Sequence, residues 1–326
     1  MFSYKKFVIA AAKIVIFNRY LWFFGFFTAL FANSGVFQRI YTNDSAGLLQ
    51  NWQRLQSTGI FAFDSIRAIG ALAQADPVGI ALRLMILLAV FILAVFIFWL
   101  AVVSQGALIR GVSAIYANKK INFNTALQSG RKTFWPVFFF RALEKALMVS
   151  LLFAAGNFGV SALANGADML PRLGYLALFL AALAAVFAVM LVTRYAMSAA
   201  VIEDKRWLES LSRGVDILRR NVLVSIEAGA VIFITNVGLG LVALMALAAA
   251  AMPFILLLFA FYALAFAGGV QFILVAGTVV LFGFVAVAGA VLAAFGDALW
   301  TIFFVHVSKE KLRNHVSNLL AILLGK

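Results

Sequence analysis

The sequence predicts an all-α integral membrane protein with about six transmembrane helices, accompanied by amphipathic helices at the cytoplasmic face. Three observations predict this class. The composition is 65% hydrophobic and 12% charged, with a mean hydropathy of +1.06. Several apolar runs approach or exceed the roughly 20 residues that cross a bilayer as a helix. Most charged residues are confined to clusters between these runs.

The apolar runs define the expected spans. Within a single membrane domain, 1–326, they lie at approximately 19–34, 78–104, 136–162, 172–199, 222–248 and 272–307. A further apolar segment, 251–269, would make the number of spans odd. We therefore expect it to be re-entrant or interfacial, with two extra short spans as the alternative. The outer segment 35–76 is predicted to be a lid on the bundle.

The basic residues predict the orientation. The formal net charge is +14, and most of the 26 lysines and arginines precede the first span, surround alternate connections or follow the last span. This distribution follows the positive-inside rule. We expect a bacterial inner-membrane protein with both termini in the cytoplasm and no nucleic-acid partner.

One cytoplasmic segment has a clear amphipathic pattern. In KRWLESLSRGVDILRR, residues 205–220, apolar side chains recur at helical spacing at Trp207, Leu211 and Leu218. Pairs of opposite charge stand four residues apart, at Glu209 and Arg213 and at Asp216 and Arg220. The pattern predicts a helix at the membrane surface.

Two further segments have a similar pattern. The segment INFNTALQSGRKTFW aligns with 205–220 when Gly130 is placed on Gly214, and the N-terminal segment aligns when Asn18 is placed on Asn221. We infer a threefold pseudo-repeat, in which each unit is one surface helix followed by a transmembrane hairpin.

The stretch FNRYLWFFGFF, residues 17–27, predicts the boundary of the first span. A cationic residue next to amphipathic aromatic side chains is typical of the level of the lipid headgroups. The expected interfacial anchors are Asn18, Arg19, Tyr20, Trp22 and Trp207.

Four segments carry a resemblance to a known family: NRYLWFFGFF, GALIRGVSAIYANKKINFNTALQSGRKTF, AAVIEDKRWLESLSRGVDILRRN and ALWTIFFVHVSKEKL. The chain resembles bacterial polytopic membrane proteins related to the glycerophosphoryl diester phosphodiesterase membrane domain. The resemblance implies a helical membrane fold of six spans more readily than an activity. The catalytic barrel of such phosphodiesterases, roughly 250 residues long, has no place in this chain.

The residues needed for catalysis are also scarce. There is no cysteine, and the two histidines, His306 and His315, lack metal-ligand spacing. No glycine-rich loop ends in Lys-Ser or Lys-Thr. We expect no enzymatic activity, no cofactor and no metal.

Ionisable residues within the predicted spans are the candidate site, because each costs about 2.5–3.5 kcal/mol to insert into lipid. They are Arg141, Glu144, Lys145, Arg194, Glu227 and Asp297. They either fix the helices by pairing with one another or form a path for protons, ions or a lipid headgroup.

Two functional classes follow from these features. The first is a non-enzymatic scaffold or accessory protein that organises anionic lipid headgroups or a protein partner at the cytoplasmic face. The second is a transporter, channel or lipid-handling protein that uses the intramembrane polar cluster. We prefer the first class, because the surface helices are the clearer pattern.

Overall fold

The computed structural model describes residues 4–32, 77–164 and 169–309, and every element in these ranges is an α-helix. The all-α prediction is therefore confirmed. The outer segment 35–76 and His315 lie outside the described residues. The helices are α1 Tyr4–Phe17, α2 Tyr20–Ala32, α3 Pro77–Tyr116, α4 Phe123–Lys132, α5 Phe134–Ala164, α6 Met169–Ile202, α7 Trp207–Arg220, α8 Val222–Ala263 and α9 Ala267–Lys309.

Four of the described helices contain stretches long and apolar enough to cross a membrane: Pro77–Tyr116, Arg172–Ile202, Val222–Ala263 and Ala267–Ser308. They confirm the multi-pass character of the protein. The pair Tyr4–Phe17 and Tyr20–Leu30 meets the same criteria together, but the chain bends by 106° between the two helices. The 13 residues of α2 rise about 20 Å, less than the roughly 30 Å hydrocarbon core.

Residues 251–263 differ from the prediction of a separate re-entrant or interfacial segment at 251–269. They continue α8, which contains Pro253 in its interior. The chain instead turns after Ala263, where Ala265 has a φ of 52° and the Phe266 N–H donates to the Phe261 carbonyl over 3.0 Å. Gly268 and Gly269 lie in the first turn of α9.

The long helices are buried at one end and exposed along the rest. Buried residues of α3 lie between 101 and 112, whereas most large apolar side chains between 78 and 98 are exposed. In α8 the buried residues lie at 224–232, and in α9 they concentrate at 290–307. We call the buried portions 101–112, 224–232 and 290–307 the packed end. Large exposed apolar surfaces are typical of lipid contact.

Three short helices each end in the same way. The side-chain amide of Asn18 donates to the Ile14 carbonyl over 2.7 Å, and that of Asn221 donates to the Ile217 carbonyl over 3.2 Å. At the end of α4, the Thr133 hydroxyl donates to the Ser129 carbonyl over 3.0 Å. Each polar side chain therefore adds a second hydrogen bond to a carbonyl in the last turn of α1, α4 or α7, directly before the next helix.

Glycines allow two of these short helices to approach a long helix closely. A Cβ at Gly130 of α4 would overlap the Val103 carbonyl of α3. A Cβ at Gly214 of α7 would lie 2.8 Å from the Val192 carbonyl of α6. Larger side chains would separate these helix pairs.

The chain divides by its internal contacts into two compact units. The first consists of Met1–Ala32, Ala101–Leu147 and Ala185–Lys326, and the second of Asn33–Leu100 and Met148–Ala184. All candidate site residues belong to the first unit, which contains a hydrophobic core around Leu108, Tyr195 and Ile302.

Candidate functional polar cluster

Arg141 of α5 lies at the centre of a buried hydrogen-bonded group. Its Nε donates to Oε1 of Gln105 on α3 over 2.6 Å, and its Nη1 donates to Oε2 of Glu144 over 3.2 Å. Arg141 and Glu144 are 5% and 4% exposed, so burial of the cation is offset by a carboxylate one helical turn away. The two residues stand three positions apart and lie on one face of α5.

Arg194 of α6 forms the second ion pair of the site. Its Nη1 donates to Oδ1 of Asp297 on α9 over 2.6 Å. The two side chains are 21% and 10% exposed, so the pair is largely removed from solvent. Because the partners are 103 residues apart, the bond fixes α6 against α9.

A cavity of about 210 Å³ joins the two ion pairs, and we call it the polar cavity. Arg141, Arg194 and Asp297 lie in its wall, together with Thr28 of α2 and Asn236 of α8. The Nε of Arg194 is buried and has no hydrogen-bond acceptor among the described residues. Two guanidinium groups therefore face one space that is large enough for several waters or a small anionic group.

Lys145 and Glu227 complete the predicted set but differ in their surroundings. Lys145 follows Glu144 directly and is half-buried. Glu227 of α8 accepts a hydrogen bond from the Tyr4 hydroxyl of α1 over 2.8 Å and is not among the residues lining the polar cavity. The six predicted residues therefore do not share one set of partners, because Glu227 serves a separate contact between α1 and α8.

Gln105, Asn236 and Thr28 were not among the predicted site residues. Gln105 interrupts the apolar run AVVSQGALI, and Asn236 interrupts VIFITNVGLG. Uncharged polar residues within or directly after the predicted spans were the available signal, because such side chains usually face other helices.

A second, apolar hollow of about 390 Å³ lies among α1, α8 and α9. Its wall includes Val15, Val242 and Leu292, and Thr235 is its polar lining residue. We call it the apolar groove. Its lining suits hydrocarbon better than any polar ligand.

An exposed aromatic surface lies where α5 and α7 meet. Trp207 stacks on Phe139 with ring centroids 6.3 Å apart, and Phe139 stacks on Trp135 at 6.0 Å. Together with Leu208 these residues form what we call the aromatic patch, in which each side chain is at least half exposed. The other side of α7 is buried through Ser210, Gly214 and Ile217.

Charged residues lie close in sequence to the members of the aromatic patch. Arg131 and Lys132 precede α5, and Arg206 precedes α7; all three are exposed. Of the two predicted pairs in α7, the Asp216–Arg220 pair forms over 2.7 Å. The Arg213 guanidinium instead lies 3.7 Å from a carboxylate oxygen of Glu203 and 3.7 Å from a carboxylate oxygen of Asp216.

The other predicted anchors make contacts inside the protein. The Trp22 indole N–H donates to the Val15 carbonyl over 2.8 Å, and the Tyr20 hydroxyl donates to the Ile121 carbonyl over 3.4 Å. Arg19 is exposed, and Asn18 ends α1 as described above. Trp22 therefore connects α2 to α1 across the bend, and Tyr20 connects α2 to the segment before α4.

The described residues offer electrostatic chemistry more readily than covalent chemistry. Among them, no group of three or more His, Asp or Glu side chains is arranged to hold a metal ion. The polar cavity supplies guanidinium, amide and hydroxyl donors, which suit an anionic oxygen ligand.

No family model, curated protein or solved structure matches the chain.

Proposed function

We propose that this chain is a non-enzymatic, multi-pass membrane protein that organises anionic lipid at the cytoplasmic face of the bacterial inner membrane. The aromatic patch carries this proposal. Trp207 and Leu208 are 50% and 59% exposed on a helix whose opposite side is buried against the protein. Aromatic side chains at the boundary between membrane and water anchor a protein in the headgroup region.

The surrounding charges favour anionic headgroups over neutral ones. Each basic side chain near an anionic surface contributes about 1 kcal/mol of attraction. Arg131, Lys132 and Arg206 are exposed beside the apolar side chains. This combination of apolar insertion and basic rim is typical of helices that lie on a membrane. A protein partner with an acidic surface is the other occupant that this chemistry would accept.

The proposed architecture has six spans, both termini in the cytoplasm and a threefold pseudo-repeat. The matching side-chain bonds of Asn18, Thr133 and Asn221 support it, because each ends a short helix that precedes a longer one. The close approaches at Gly130 and Gly214 support it further, since the sequence alignment pairs these glycines. In this proposal the exposed portions of the long helices cross the bilayer, and the packed end lies near the headgroups.

A peptide covering residues 205–220 tests the proposal. We expect it to bind vesicles that contain anionic phospholipid at low salt, and to bind more weakly as the salt concentration rises. A control peptide with Trp207→Ala and Leu208→Ala keeps every charge and should lose most of the binding. Equal binding of the two peptides would contradict insertion of the aromatic patch, and no binding by either would contradict the lipid-organising function.

A second candidate function is supported by the polar cavity. A space of about 210 Å³ bounded by Arg141, Arg194 and Asp297 provides more room than ion pairing alone requires. In this alternative the protein is a transporter, channel or lipid-handling protein. Proteoliposomes test it, because Arg194→Gln/Asp297→Asn should abolish the movement of protons or lipid headgroups. If the wild-type protein moved neither protons nor lipid headgroups, this candidate function would be excluded.

A further inference from the structure

Two hollows of different chemistry meet at one residue of α9. Leu292 lines the polar cavity and also lines the apolar groove. On α8, two adjacent residues line different hollows: Asn236 lines the polar cavity, and Thr235 lines the apolar groove. The polar cavity and the apolar groove therefore share walls on both α8 and α9.

The apolar groove extends from this shared wall toward the exposed portions of the helices. Its lining residues on α8 run from Thr235 to Ala246, an axial rise of about 16 Å. Those on α9 run from Phe295 back to Ala288, in the matching direction. Val242 is 62% exposed, so the groove is open toward the surface that we assign to lipid.

The polar cavity has the donors of an oxyanion site. Guanidinium groups bind phosphate through paired hydrogen bonds, and both Arg141 and Arg194 line the cavity. Each ion pair is neutral, and the charged residues that line the cavity, Arg141, Arg194 and Asp297, together carry one net positive charge. A small anionic group would therefore enter a site with a net positive charge.

We propose that the polar cavity and the apolar groove form one binding site for a lipid with a small phosphate headgroup. The phosphate lies between Arg141 and Arg194, and an acyl chain lies along the groove toward Ala246. This inference rests on the second candidate function and names its ligand class. It requires the two hollows to be occupied by one molecule, which distinguishes it from a free-phosphate site and from a purely structural pair of salt bridges.

Native mass spectrometry of the full chain in detergent micelles tests the inference. The probes are short-chain phosphatidates that differ in acyl length, phosphatidylcholine of the same length, and inorganic phosphate. We expect one phosphatidate per chain and an affinity that depends on acyl length, because chains that fit the groove pack along its walls. Phosphatidylcholine should bind at least tenfold more weakly, because its headgroup is larger and carries no net charge.

Variants separate the headgroup from the chain. Arg194→Gln/Asp297→Asn removes both charges together, so no buried charge is left without a partner, and it should weaken phosphatidate binding at least tenfold. Ala246→Phe fills the exposed end of the apolar groove and should abolish the dependence on acyl length. Ala248→Phe is the matched control, because Ala248 is exposed on the same helix but does not line the groove.

The outcomes distinguish the alternatives. Unchanged phosphatidate affinity in both Arg194→Gln/Asp297→Asn and Ala246→Phe would overturn the site. Displacement by inorganic phosphate at equal concentration, without any effect of acyl length, would also overturn it by reducing the ligand to a free anion. Stoichiometric binding without lipid movement in proteoliposomes would contradict the second candidate function and leave the binding site standing.

Discussion

Arg194 and Asp297 connect α6 to α9 through a 2.6 Å hydrogen bond within an ion pair that is largely buried. The carboxylate compensates the cost of removing the guanidinium from water. The same two side chains line the polar cavity. The pair therefore has both a structural consequence and a functional one, and the two are separable by substitution.

Asp297→Asn should destabilise the protein, because it leaves the Arg194 cation without its carboxylate. Loss of one member of a buried pair costs about 3–5 kcal/mol, and the partial exposure of Arg194 places the effect at the lower end. Equilibrium unfolding in detergent measures it. The double variant Arg194→Gln/Asp297→Asn should recover most of the loss. Equal destabilisation of the single and double variants would contradict the role assigned to the pair.

Gly130→Ala should destabilise the contact of α4 with α3. The added methyl group would overlap the Val103 carbonyl, and overpacking of this kind costs about 1–3 kcal/mol. Gly283→Ala is the matched control, since a Cβ there meets nothing within 4 Å. The unfolding midpoint should fall for Gly130→Ala alone. A similar unfolding midpoint for both variants would show that the close contact of α4 with α3 at Gly130 does not contribute to stability.

Tyr4→Phe should loosen the N-terminal helix, because it removes the hydrogen bond to Glu227. A bond to a carboxylate contributes about 1.5–3 kcal/mol, and the partial exposure of Tyr4 reduces this value. Hydrogen exchange of α1 provides the measurement, with faster exchange expected. Tyr262→Phe removes an exposed hydroxyl in α8 and should leave the exchange of α1 unchanged. Unaltered exchange in Tyr4→Phe would exclude Tyr4 as the anchor of α1.

The absence of native cysteine allows the orientation to be tested directly. Lys119→Cys and Lys205→Cys place single thiols in the connections before α4 and α7, and Leu264→Cys places one in the turn between α8 and α9. A membrane-impermeant thiol reagent should reach the first two from the cytoplasmic side and the third from the opposite side. Labelling of all three from one side would refute the proposed topology.

The sequence predicted local features of the fold well. The helix expected at 205–220 corresponds to α7 at Trp207–Arg220, because apolar and charged side chains both recur there with a helical period. Asn18 and Asn221 were expected at equivalent junctions, and both donate to the carbonyl four residues earlier. Arg141 and Glu144 were both expected in the polar cluster, and they form an ion pair. Each of these relationships spans only a few residues of sequence.

The turn between α8 and α9 was not predictable from residue type. The segment expected at 251–269 has no helix end at its start, and the chain turns near its end with Ala265 at a positive φ. Pro253 lies inside α8, because membrane helices tolerate proline where neighbouring groups satisfy the freed carbonyl.

Which charged side chains of the candidate site pair with one another could not be predicted from the sequence either. Arg194 and Asp297 are 103 residues apart, and several cations were available to Asp297. Glu227 was grouped with the other carboxylates, yet its described partner is Tyr4 of the first helix. Such partners depend on how the helices pack, which neither spacing nor composition specifies.

Insertion of the aromatic patch into the bilayer is the central claim, and spin-label accessibility on α7 tests it most directly. Leu208→Cys and Glu209→Cys place labels on adjacent exposed residues that point about 100° apart around the helix. In anionic nanodiscs, the label at 208 should be more accessible to oxygen, which concentrates in lipid, and the label at 209 to a water-soluble nickel chelate. Equal access of the nickel chelate to both positions would contradict the account.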